Sequence, residues 1–341
     1  FSHAPDLPLA GLRLAPGLDG ALVKGGLRLR LQLGGGLRFD QLGLQHLPLH
    51  FSGADDVAFK LHELALGACL GMLVLPPQRP ARCCEFVEAD AVRPLGFADD
   101  EALLPVSLRS FQGYRLLHEY AAFPQRFLFV DLHGLGRPLA RCGGDEVEIV
   151  LLFGRGEPGL EGRVGTDSVA LHCTPAINLF PKRLDRVHLA AGGPQQHEHH
   201  VVPDRTRPMD YEVYALDAVS GHGSGAQPLQ QFWPFYSARH GGAPGHAAYY
   251  TLRREPRLLS AAQQRHGARA GYVGSEVFLS LVDGDEAPYG DELAQLSISA
   301  LVTNRDLPLL MPQGGPRGDF LLDASAPVAA VRTLRGPSRP Y

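Results

Sequence analysis

The stretch "LRLRLQL", residues 27–33, sets Leu27, Leu29, Leu31 and Leu33 on one face of an extended chain and Arg28, Arg30 and Gln32 on the other. Successive side chains of a strand point to opposite faces, so this period of two predicts a strand half in a core and half in water. The same kind of segment returns as "LQHLPLHF" (44–51), "RFLFVDLH" (126–133), "EVEIVLLF" (146–153), "YEVYALDAV" (211–219), "EVFLSLV" (276–282) and "QLSISALVT" (295–303). The 40 glycines and 28 prolines that punctuate them are turn formers. The fold class is therefore mainly β, of the α+β kind: several β-rich modules with a few short helices.

Three helices are expected. "ADDVAFKLHELALGACLGML" (54–73) carries Val57, Leu61, Leu64 and Ala65 at helical spacing, with Asp55 and Asp56 at the end where the helix dipole favours them. "SFQGYRLLHEYAAF" (110–123) does the same with Phe111, Tyr114, Leu117 and Ala121, and Pro124 ends it. "LSAAQQRHGAR" (259–269) is the third. A faint internal echo links the helix at 54–73 with "TDSVALHCTPAINLF" (166–180), which would suit two related α/β units. Loop-like, proline-rich passages suggest three domains: 1–105, β-rich with one helix; 106–205, α/β; and 206–341, β-rich.

Bulk properties exclude more than they assign. A formal charge of -4 gives no reason to expect nucleic acid. Only Lys24, Lys60 and Lys182 of the 32 basic residues are lysines, a bias that base composition alone can produce. Five cysteines with no C-x-x-C spacing indicate neither a disulfide framework nor a zinc ribbon, and the adjacent Cys83 and Cys84 read as free thiols. The longest apolar run, "LALGACLGMLVL" (64–75), is too short to span a bilayer as a helix. The first residues lack the features of a signal peptide, and both ends read as the middle of a longer polypeptide.

Among residues that could carry chemistry, "VVPDRTRPMDYEVYALDAV" (201–219) stands out. Pro203 and Pro208 bias their predecessors toward extended backbone, so 202–214 is expected to run extended, with Arg205 and Arg207 pointing one way. Two guanidinium forks suit carboxylates, from Asp204 or Asp210 or from elsewhere. Thr206 and Tyr211 offer no poised base, so the segment reads as a structural strap in which Arg207 matters for folding or assembly. "HEHH" (197–200) puts His197 and His199 on one strand face, the start of a metal-dependent hydrolase site that lacks a third ligand. "SGHGSGAQ" (220–227) fails the G-x-S-x-G pattern, "GLGRPL" (134–139) lacks the third glycine of a dinucleotide fingerprint, and no P-loop occurs. No cofactor is therefore expected. "ADDEALLP" (98–105) reads as solvated surface. "QQFWPFYSARH" (230–240) gathers Trp233, Phe232, Phe235 and Tyr236, either core or interface anchor, or the wall of a ligand-binding β module.

The passage "HCTPAINLFPKRLDRVHLAAGGPQQHEHHVVPDRTRPMDYEVY" (172–215) resembles the TssF family of type VI secretion baseplate subunits, also called VasA or ImpG. The resemblance continues in "SFQGYRLLHEYAAFPQRFLFV" (110–130), "AYYTLRREPR" (248–257), "YVGSEVFLSLVD" (272–283), "LVTNRDLPLLMP" (301–312) and "APVAAVRTLRGPSRP" (326–340), and is loose over 1–100. It implies a non-enzymatic, cytoplasmic wedge component similar to those of contractile phage tails, in a baseplate docked on the inner-membrane complex. The implied partners are TssG, held by two TssF-like copies that thereby associate with each other, TssK, TssE and the VgrG spike region, with no nucleic acid and no integral membrane segment. The family's members are longer at both ends. In that setting Asp204, Arg205, Arg207, Asp210, Tyr211 and Trp233 are expected to serve as strap or subunit contact rather than in catalysis.

Overall fold

In a computed structural model of the chain, Leu27 is buried and Leu29, Leu31 and Leu33 pack against the same core, as the alternation requires. The structure describes residues 1–3, 18–106, 111–189, 198–225, 227–236, 248–258, 271–283 and 292–340. It divides into two compact units, Phe1–Ala176 and Ile177–Tyr341. The expected boundary near 105 falls inside the first unit, between strands that share a sheet, and the one near 205 falls inside the second.

The first unit runs β1 (Ser2–His3), β2 (Gly25–Gln32), β3 (Leu47–Phe51), α1 (Asp55–Gly67), β4 (Cys69–Leu75), β5 (Glu85–Val87), β6 (Val92–Pro94), α2 (Gln112–Ala122), β7 (Phe129–Leu132), α3 (Gly136–Cys142), β8 (Glu146–Phe153) and β9 (Val169–Ala170). One antiparallel sheet has the order β1-β2-β8-β4-β5 and the other β6-β7-β3-β9. In the first, Leu27, Leu29 and Leu31 lie opposite Leu151, Ile149 and Val147. One core joins the two sheets through α1, which buries Val57, Ala58, Leu61, Leu64 and Ala65 against strands of both. Each leucine so buried stabilises by roughly 1.5–3 kcal/mol relative to exposure. Val150, Leu152, Leu73 and Leu75 turn the other way, into a smaller cluster with Val23. That double burial explains why "EVEIVLLF" reads as a nearly continuous apolar run.

The helix expected to reach residue 73 stops at Gly67, and Cys69–Leu75 is a strand paired with β8. An apolar run satisfies either period, and the edge of β8 decides it. Gly71 marks the change: at φ +140° it forms a bulge where a Cβ would fall 2.3 Å from the Phe86 ring. The echo at 166–180 holds no helix either. It contains a 3-10 turn at Thr166–Ser168 and the two-residue β9, then irregular chain up to the start of the next strand, with Pro175 in its path. The cysteine reading is also corrected. Cys83 is bonded to Cys142 across 59 residues, because the end of α3 lies beside the segment that enters β5; Cys69, Cys84 and Cys173 are free.

The second unit runs β10 (Phe180–Arg183), β11 (Val187–His188), β12 (His199–Val201), β13 (Glu212–His222), β14 (Pro228–Pro234), β15 (Ala248–Pro256), β16 (Ser275–Asp283) and β17 (Gln295–Thr303). They form one eight-stranded sheet, β10-β17-β13-β14-β15-β16-β12, with β11 also on β17. Only β14 and β15 run parallel among these pairs. Leu296, Ile298, Ala300 and Val302 alternate into its core, facing partners such as Val219 and Val213 on β13. The expected helix at 259–269 lies outside the described residues.

Candidate interaction surface

Helix α2 forms where the 3.6-residue period predicts it, and Pro124 opens a 3-10 turn just beyond its end. Its orientation is the reverse of the usual one. The buried residues are Arg115 and Glu119, whereas Phe111, Tyr114, Leu117 and Tyr120 are between 54% and 74% exposed. A helix in a globular protein ordinarily turns its apolar stripe inward.

The polar face goes inward because its charges are paired there. Glu119 Oε1 accepts the backbone N–H groups of Leu103 and Leu104, at 3.1 and 2.9 Å, and Glu119 forms ion pairs with Arg115 and Arg126. Arg115 reaches Asp99 at 3.0 Å, and Arg126 donates to the Glu101 carbonyl at 2.8 Å. Glu101 in turn accepts the N–H groups of Gly96, Phe97 and Ala98. The acidic "ADDE" stretch, expected to be solvated surface, thus organises a loop, with Asp99 and Glu101 as structural acceptors. Burial, then the Arg115 charge, push the Arg126 guanidinium below its ordinary value, and it remains a cation in the pair. With the charges satisfied inside, the helix presents Phe111 and Tyr114 in edge contact, followed by Leu117 and Tyr120, to the outside. An exposed apolar patch of this kind is a candidate contact surface.

The sequence-derived site residues of the second unit separate into two places. Residues 202–211 bend rather than run extended, and Arg205 and Arg207 are both exposed. Asp204 Oδ1 accepts from the N–H groups of Thr206 and Arg207 and from the Thr206 hydroxyl, an arrangement that turns the chain and holds the Asp204 carboxyl below its usual range. Lys182, not an arginine of the loop, is the cation at Asp204, at 3.5 Å, and its ammonium also lies 4.5 Å over the Tyr211 ring. Arg205 donates to the Arg186 carbonyl. The loop is fastened from outside as well: Arg257 donates to the Pro208 carbonyl at 2.7 Å and Asn304 to that of Asp210. Just beyond it, Glu212 accepts from the Tyr272 hydroxyl and from both the N–H and the hydroxyl of Ser275, all within 2.6–2.7 Å. Burial and then the Glu212 bond push the Tyr272 phenol well above its ordinary value. Glu212 is the organising residue that reading the sequence missed, since nothing in "YEVY" distinguishes it from a solvent-facing strand position.

Trp233 stands elsewhere, on β14. Its neighbour Phe232 is core, while Trp233, Phe235 and Tyr236 are exposed, so the alternation splits the aromatic cluster between interior and surface. His199 is buried on β12 and burial pushes its imidazole down; His200 stacks on Phe278; His197 lies outside the described residues. Ser224 is exposed at the β13–β14 turn, and the buried His222 bonds to Ser297 instead. A cluster in the first unit, His46, Asp131 and His133, was also missed, because His46, just before β3, stands 85 residues from Asp131 on β7.

Comparison with known proteins gives the family of the chain. A family model for the type VI secretion system protein TssF matches residues 7–341. Type VI secretion system component TssF1 of Pseudomonas aeruginosa is 52% identical over 319 residues, 93% of this chain and 50% of that protein. A cryo-electron microscopy structure of the type VI secretion system TssK-TssF-TssG baseplate subcomplex contains a chain of similar fold, with a TM-score of 0.56 and 24% identity over 82% of this chain and 47% of that one. The chain therefore spans about half the length of the relatives it matches. On the family match along almost its whole length and the 52% identity to TssF1, this chain belongs to the TssF family of the type VI secretion system.

Proposed function

We propose that the chain is part of a structural subunit of the type VI baseplate wedge, and that it works by holding partner subunits rather than by catalysis. The observation that carries this reading is α2, whose charges are consumed inside the first unit and whose aromatic face is offered outward. The related subcomplex contains TssK and TssG. TssG is accordingly proposed as the partner, gripped by two TssF-like copies, with TssK, TssE and the VgrG spike region completing a wedge that supports sheath and tube assembly. The proposed location is the cytoplasmic baseplate docked on the inner-membrane complex; no helix among the described residues is long and apolar enough to cross a membrane. Within the second unit, the 203–214 segment with Asp204, Arg205, Arg207, Asp210 and Tyr211 is proposed as an internal strap, and the exposed Trp233 as a subunit contact.

The test is co-purification of the full-length protein with TssG, with mass determined by light scattering. A complex of two copies to one is expected, and the Tyr114→Ser, Leu117→Ser double variant should weaken it at least tenfold, as loss of interface anchors does. Thermal stability of the variant should be unchanged, since surface substitutions seldom matter to folding. A variant that assembles normally, or one that loses stability without TssG present, would assign the α2 face to the protein's own remaining chain and sink this part of the reading.

A further inference from the structure

His46, Asp131 and His133 are brought together by strand register. Leu47 pairs with Leu132 and Pro48 with Asp131, so His46 lies across from His133 one step beyond the last pair. Val130 and Leu132 point into the core, which turns Asp131 and His133 to the opposite face of β7. The Asp131 side chain is only 7% exposed. His46 Nδ1 lies 3.1 and 3.0 Å from its two oxygens, and His133 Nε2 lies 2.9 Å from Oδ2. The two rings are nearly parallel, 15° apart with centroids at 5.3 Å. One donor atom from each of the three residues falls within 4.8 Å of the others.

A buried carboxylate needs a positive partner. Arg93 faces Asp131 from β6 in register, yet it is exposed and donates to the Asp90 carbonyl. Among the described residues the partners of Asp131 are the two imidazoles. We propose that these three residues are a binding site for a divalent first-row transition ion, zinc by preference. Two imidazole nitrogens and one carboxylate oxygen form a borderline donor set that suits zinc; magnesium and calcium seek all-oxygen shells. Tetrahedral zinc holds its ligands roughly 3.4 Å apart, so the imidazole–carboxylate pairs need open by only a few tenths of an ångström. Strand pairing on both sides fixes Asp131 before any ion arrives, and three protein ligands leave a fourth position toward solvent, where His46 is half exposed. The ion would clasp the start of β3 to the end of β7. The site is distinct from the histidines at 197–200 and independent of the baseplate reading.

The test is zinc titration of chelator-treated full-length protein against a chromogenic competitor, with cobalt absorption to report the geometry. One tight equivalent is expected in the wild type, weakened at least about tenfold by His46→Ala and by His133→Gln. It should be unchanged in a His199→Gln, His200→Gln variant. Zinc should raise the melting temperature of the wild type and not that of His46→Ala, which loses an exposed side chain and keeps the fold. A wild type that takes up no zinc would make the trio a hydrogen-bonded clasp and overturn the proposal. Uptake that survives both first-unit variants, or that is lost only with His199 and His200, would overturn it too.

Discussion

Arg126 and Glu119 meet as an ion pair with 0% and 2% of their side chains exposed. Desolvating two charges is costly, and the pair persists because Glu119 also caps two backbone N–H groups and Arg126 also donates to a carbonyl. Removing one partner strands the other. Arg126→Met is expected to destabilise the first unit by about 3–5 kcal/mol, and Glu119→Ala by at least as much, since it frees the N–H groups of Leu103 and Leu104 as well. Urea unfolding of each variant checks this.

The second unit's strap gives a contrast within a few residues. Glu212 accepts three hydrogen bonds as a carboxylate, so Glu212→Ala should cost about 1.5–3 kcal/mol or more. Arg207 has an exposed side chain and serves the loop through its backbone N–H, so Arg207→Ala should change folding stability by less than about 0.5 kcal/mol. Any defect of Arg207→Ala should then appear in subunit assembly. Fluorescence of Trp233, the single tryptophan and a residue of this unit, follows the unfolding.

The bond between Cys83 and Cys142 closes a loop of 59 residues, for which chain-entropy arithmetic gives about 4 kcal/mol. Dithiothreitol or Cys142→Ser should lower the melting temperature accordingly. Peptide mapping after alkylation should recover Cys83 joined to Cys142 and label Cys69, Cys84 and Cys173. Burial raises all three of these thiols above their ordinary values, so labelling should be slow until the protein is denatured. Equal labelling of all five without reductant would refute the pairing.

His62 on α1 and His199 on β12 are held below the ordinary imidazole value by burial. Their folded forms therefore take up a proton at lower pH than the unfolded chain does. Above an unfolded value of about 6.5 neither state is protonated and stability is unaffected. As pH falls below that point the unfolded chain gains protons first, and stability declines until the folded values are passed. Urea midpoints between pH 7.5 and 5.5 should fall, and His199→Phe should flatten the slope seen by Trp233 fluorescence.

Strands were legible in this chain because their signal is local. "LRLRLQL" and "QLSISALVT" carry their own period of two, and their leucine and isoleucine faces went where that period sends them. The run at 68–75 was not legible, since its apolar residues fit a helix as well as a strand and only β8 chose between them. Family membership was legible for the same local reason, in long ordered motifs that resemble TssF.

What the sequence determined by itself, then, was the β-rich class, the place of α1 and α2, and the family. Tertiary structure alone decided which side of α2 faces out, because helical spacing fixes a stripe and not its direction; the buried demands of Glu119 and Arg126 set the direction. It alone decided that Cys83 meets Cys142 and that His46 meets Asp131 and His133, because those contacts join residues tens of positions apart. Local pattern carries no information about such pairs until the strands between them take their register.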